Sequence, residues 1–94
     1  MFPVSRPRLY PNPVFGSGPV HLYVPVKIAS DVTVRIYTLA FRKVAESTFS
    51  VTPPGTAMTL PLTDEWGAKL ANGVYYAVVL TPQGRFIEKL LVIP

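Results

Sequence analysis

Eleven prolines and six glycines cut this 94-residue chain into short pieces, and no piece carries a helical pattern over ten residues. Proline removes a backbone donor and fixes φ, so it ends helices and is kept out of central strands. Between the breaks, apolar residues recur in twos, which is the period of a strand. The chain is therefore restricted to short strands joined by turns.

The opening stretch, MFPVSRPRLYPNPVFGSGP, holds five of the prolines. Residues 1–9 read as an extended Pro-rich arm or linker, with at most a short edge strand near Leu9-Tyr10. In HLYVPVKI, Leu22, Val24 and Val26 share a face, and Pro25 points to a sheet edge or a bulge. DVTVRIYTL is the clearest strand, with Val32, Val34 and Ile36 facing inward and Thr33, Arg35 and Tyr37 outward. RKVAESTFSV follows, with Val44 expected inward and Phe49 and Val51 at its far end. Pro53-Pro54-Gly55 breaks it.

TAMTLPL is a short alternating strand. TDEWGAKLANG is a loop in which Asp64 is placed to hydrogen-bond its own backbone. A hairpin closes the chain: VYYAVVLT, a turn at Pro82-Gln83-Gly84, then RFIEKLLVI. Short strands at intervals of about ten residues predict an antiparallel β-sandwich of about seven strands over residues 10–94. Val32, Val34, Ile36, Tyr75, Ala77, Val79, Leu90 and Val92 are its expected core.

LANGVYYAVVL does not fit a half-buried strand. Tyr75, Ala77 and Val79 lie on one face, yet Val74, Tyr76, Val78 and Leu80 on the other are apolar too. Alternation normally leaves one face to water. The second face is therefore expected to meet protein, either the N-terminal arm or an adjacent copy. Phe2, Val4 and Leu9 are the arm's apolar anchors, and Trp66 is a further candidate contact in the loop before the hairpin.

Composition narrows the chemistry. There is no cysteine, which removes disulfides, thiolate metal sites and a cysteine nucleophile. His21 is the single histidine, too few for a zinc site of the usual ligand count. Asp31, Asp64 and Glu65 lack the regular oxygen spacing of a calcium loop and read as turn residues. Glu46 and Glu88 stand singly on predicted strands with nothing to pair them as acid and base. No catalytic residue, metal or cofactor is expected. A net charge of +4 is spread along the chain without a basic run, so nucleic acid is not an expected partner. No apolar run approaches the roughly 18 residues of a membrane span.

Four stretches in order carry a resemblance. Tyr10-Pro11-Asn12-Pro13 opens the domain. Val32 to Arg42, with Val44, follows the pattern of alternating aliphatics, a tyrosine and a tight turn. Leu70 to Val79 carries a G-V-Y core, and Lys89-Leu90-Leu91-Val92 closes the chain. Over about residues 10–93 this resembles the Ig-like C-terminal domains of secreted bacterial proteins. That group includes the Ig-like domain of flagellar hook-capping proteins and the type A sorting domains of type IX secretion.

The resemblance implies an Ig-like or fibronectin-III-like sandwich, located outside the cell or at its surface. It implies a non-catalytic role through protein–protein contacts, as a sorting or anchoring module or as a subunit of an extracellular assembly. Three departures stand out. Phe41 occupies a turn position where the family commonly has glycine; a residue with a Cβ there either avoids positive φ or tolerates it at a cost, and the turn is expected to be reshaped. The hook-capping tryptophan is replaced by Leu60-Pro61-Leu62. Val78 and Leu80 stand where the family often has polar residues. The alternative reading is a carbohydrate-binding sandwich, with Tyr23, Tyr37, Tyr76 and Trp66 as surface aromatics for a glycan.

Overall fold

The structure, a computed structural model, describes residues 6–15, 19–26, 28–52 and 56–93. Within them the chain is all β. The strands are β1 (Arg8–Tyr10), β2 (Val14–Phe15), β3 (Val20–Tyr23), β4 (Ser30–Thr38), β5 (Lys43–Val51), β6 (Met58–Leu60), β7 (Gly73–Thr81) and β8 (Gly84–Ile93). They form a three-stranded sheet in the order β1-β3-β6 and a five-stranded sheet in the order β2-β8-β7-β4-β5.

One core lies between the sheets. The smaller sheet contributes Leu9, Val20, Leu22, Met58 and Leu60. The larger contributes Val14, Ala45 and Val51 together with Val32, Val34, Ile36, Tyr75, Ala77, Val79, Leu90 and Val92. These last eight are the residues expected in the core. No polar or charged side chain is buried among the described residues. Full burial of an apolar side chain such as Val, Leu or Ile stabilises by about 1.5–3 kcal/mol, so the inward face of each strand sets its register.

The expectation of a purely antiparallel arrangement of about seven strands is corrected by β2. This two-residue strand is an eighth, and it runs parallel to β8, with Val14 opposite Val92 and Phe15 opposite Ile93. The chain leaves the small sheet after Tyr10 and joins the large one at Val14, crossing through Pro11-Asn12-Pro13. Both prolines lack an N–H and cannot donate to a ladder. Asn12 substitutes with its side chain: Nδ2 donates to the carbonyl of Lys89 (2.6 Å), and Oδ1 accepts from the Leu91 N–H (3.1 Å). A carboxamide carries the donor and acceptor of a peptide group, so it can stand in for one.

The reading of β5 is corrected as well. Ile36 pairs with Ala45 but Tyr37 pairs with Lys43, leaving Val44 as the extra residue of a bulge. Ala45 is therefore the inward residue, and Val44 packs half-buried against the edge of the core. The turn that follows β4 also differs from expectation. The Phe41 N–H donates to the Thr38 carbonyl, and the Thr38 N–H donates to the Arg42 carbonyl, both at 2.9 Å. Phe41 has φ 61°. The turn is thus not reshaped to avoid the left-handed region: Phe41 adopts it, at a cost of about 1–2 kcal/mol for a residue with a Cβ.

Candidate interaction surface

The outward face of the five-stranded sheet is built by register. Residues directly opposite on neighbouring strands share a face. Glu46, Arg35, Val78 and Ile87 make one row across β5, β4, β7 and β8, and Thr48, Thr33, Leu80 and Arg85 make the next. Tyr37, Tyr76 and Lys89 form a third, and Val74 stands opposite Leu91. The centre of the face is apolar and its margins are charged.

A shallow groove of about 280 Å³ opens on this face. Val78, Leu80 and Ile87 lie along it, Phe41, Tyr37 and Tyr76 bring aromatic surface, and Arg35 and Arg85 add two guanidinium groups. The left-handed turn sends the Phe41 ring onto Tyr76, with centroids 5.7 Å apart and planes 8° from parallel. Phe41 nevertheless remains 74% exposed and Ile87 51% exposed.

The charges around the groove are unequally matched. Glu46 Oε1 accepts from Lys43 Nζ (3.1 Å) and from Arg35 Nε (3.0 Å). The Lys43 ammonium, and then the Arg35 guanidinium, hold the Glu46 carboxyl below the usual carboxylate range. Arg85 has no ion-pair partner among the described residues. The groove therefore favours an anionic, partly apolar visitor.

The structure distributes the candidate contact residues over several places. Val74, Tyr76, Val78 and Leu80 are half-buried on the outward face of β7. Leu9 faces the core, opposite Leu22 on β3. Phe2 and Val4 lie outside the described residues. The described part of the arm docks on the chain's own β8. Arg6 donates to Glu88 Oε1 (3.0 Å) and to the Ile87 carbonyl (3.2 Å), and its guanidinium carbon stands 5.6 Å from the centroid of the Phe86 ring.

Trp66 sits elsewhere, 83% exposed at the tip of the loop before β7. Asp64 organises that loop. Its Oδ1 accepts from the backbone N–H of Trp66 (2.9 Å) and of Ala68 (2.8 Å), as its sequence position suggested. Gly67 follows with φ 83°, a conformation that glycine adopts without steric cost. His21 is half-buried on β3, beside the Tyr10 ring and 3.4 Å from Thr59 Oγ1. No three acidic, histidine or cysteine side chains gather as a metal site among the described residues.

Four groove residues escaped the sequence reading as a group: Arg35, Phe41, Arg85 and Ile87. A signal existed for Phe41, which stands where the resembled family has glycine. Another existed for Ile87, whose parity sets an aliphatic residue between Arg85 and Lys89 on the outward face of β8.

No protein-family model matches the chain, and no curated protein matches it. Among solved structures, the fold is similar to part of dimeric latent PorU from Porphyromonas gingivalis. The TM-score is 0.64 at 25% sequence identity, and the match covers 95% of this chain and 10% of that one. The chain thus spans about a tenth of PorU's length.

Proposed function

We propose that this chain is a non-catalytic, Ig-like β-sandwich module of the type IX secretion context, acting outside the cell or at its surface through protein–protein contacts. It directs or holds a protein there. The likeness to PorU supports that context. The observation that carries the contact role is the apolar outward face of β7, with Tyr76, Val78 and Leu80 beside the exposed Phe41 and Ile87. A sheet face needed only for solubility carries polar residues at these positions, because one face of an antiparallel sheet can be solvated. Exposed apolar patches mark contact sites.

The test is Val78→Lys in the intact protein, followed in the producing cell. Position 78 is half-exposed and the lysine stem can lie along the sheet with its ammonium in water, so the variant is expected to melt within a few degrees of the parent. Its cell-surface fraction is expected to fall at least about tenfold, equivalent to roughly 1.4 kcal/mol of lost contact. An unchanged surface fraction in a folded variant sinks the reading.

A further inference from the structure

We propose that the groove on the five-stranded sheet receives the Trp66 loop of a second copy of this chain, so that copies join head to tail. The inference rests on reading the outward face as a protein-contact surface, and it names the partner. Two features of one molecule match each other. The groove is lined by apolar and aromatic side chains and by Arg35 and Arg85, and Arg85 has no ion-pair partner among the described residues. The loop presents an exposed indole with the carboxylate of Glu65 beside it in sequence, and Glu65 has no ion-pair partner among the described residues.

The loop is held ready for insertion. Besides the two bonds to Asp64 Oδ1, the Asp64 N–H donates to the Ala68 carbonyl (2.7 Å), the Gly67 N–H to the Asp64 carbonyl (3.0 Å) and the Leu70 N–H to the Leu62 carbonyl (3.0 Å). A loop already ordered loses little conformational freedom on docking. The groove, at about 280 Å³, falls just under the ~300–1,000 Å³ range of small-molecule pockets, a size suited to one large side chain. Tryptophan is the residue that most often anchors such contacts.

Charge decides the arrangement. On a second copy of the outward face, Glu46 is already held by Lys43 and Arg35 and offers Arg85 no free carboxylate. The Trp66 loop instead brings Glu65 towards Arg85. Such a contact is heterologous: each copy uses a knob on one site and a groove on another, so the chain of contacts closes as a ring or runs on as a filament.

Trp66 is the only tryptophan, so its fluorescence reports the contact directly. Sedimentation velocity and emission spectra are recorded up to about 1 mM protein, where a Kd in the millimolar range becomes visible. The parent is expected to associate and its emission to shift to the blue with concentration. Trp66→Ala and Arg85→Glu change exposed residues and are expected to stay folded, with self-association weakened about thirtyfold or more.

The decisive sample is an equimolar mixture of Trp66→Ala with Arg85→Glu. One retains only a groove and the other only a knob, so the mixture is expected to form a dimer and nothing longer. A parent that stays monomeric with unchanged emission overturns the proposal, as does association that survives in Trp66→Ala. If Val78→Lys still abolishes surface delivery in that case, the contact face stands and only its partner has been misnamed.

Discussion

The Phe41 ring lies nearly parallel to that of Tyr76, 8° from coplanar with centroids 5.7 Å apart, and a left-handed backbone puts it there. Two opposing quantities meet at this position. The αL conformation costs roughly 1–2 kcal/mol for any residue with a Cβ, and an aromatic pair contributes about 0.5–1.5 kcal/mol beyond its buried area. Phe41→Ala keeps the cost and loses the pair, whereas Phe41→Gly loses both. The glycine variant is expected to be more stable than the alanine variant by about 1 kcal/mol, the reverse of the order normal within strands and helices. Thermal melts of the two variants check it, and coincident melts would contradict the assigned backbone conformation.

Val34 is 1% exposed at the centre of β4, between Ser47 and Val79 in the register. Val34→Asp is expected to abolish folding at neutral pH. A lone buried carboxylate costs several kcal/mol, against a total stability of about 5–15 kcal/mol for a domain. Circular dichroism suffices as a readout, and a native-like melt shows that the strand does not face the core.

Asn12 replaces a backbone ladder with a side chain, and its removal exposes that substitution. Asn12→Ala leaves the Lys89 carbonyl and the Leu91 N–H to water, for a loss of about 1 kcal/mol. Asn12→Asp retains the acceptor for Leu91 but turns an oxygen towards the Lys89 carbonyl, so at pH 7 it is expected to do no better. Urea unfolding midpoints measure both, with the slope unchanged if only stability moves. An aspartate variant as stable as the parent would show that the Lys89 bond contributes nothing.

Tyr75 is 8% exposed, and its hydroxyl donates to the carbonyl of Ala71. Burial raises its pKa above the ordinary tyrosine value of 10.0. The folded state therefore holds this proton more tightly than the unfolded state does. The associated stability is fully present below about pH 10 and is lost as pH rises through the folded-state pKa. Melting temperature is expected to fall above pH 10, and Tyr75→Phe to flatten that fall while lowering stability at pH 7 by about 1 kcal/mol. Identical alkaline profiles for parent and variant would assign the loss to other groups.

The sequence disclosed the strands whose alternation runs long enough to fix a parity. Val32, Val34 and Ile36 on β4 face the core as their spacing required; on β7 both parities are apolar, so spacing alone left its core face open, and Tyr75, Ala77 and Val79 take it. Asp64 announced its own turn. What escaped depends on contacts between distant residues. The bulge at Val44 inverts the parity of β5 by a single residue, and nothing within KVAESTFSV shows where the extra residue falls. Proline-rich sequence concealed β2 because its partner is the last strand and its connection runs through a side-chain amide. The groove was half legible: the apolar face of β7 was plain, but the residues beside it on β4, on β8 and in the turn are assembled only by cross-strand register.

The crossing at Pro11-Asn12-Pro13 also sets an order of events. Asn12 and Lys89 are 77 positions apart, and Val14 and Val92, which close the parallel pair only when β8 has arrived, are at least as distant. A contact of that span forms late, since chain entropy must be overcome before it contributes anything. In a polypeptide that emerges amino end first, β1 and β2 wait unpartnered by β8 until the final strand is free. The fold is therefore clasped last by Asn12 and Val14, and it stays open until β8 arrives.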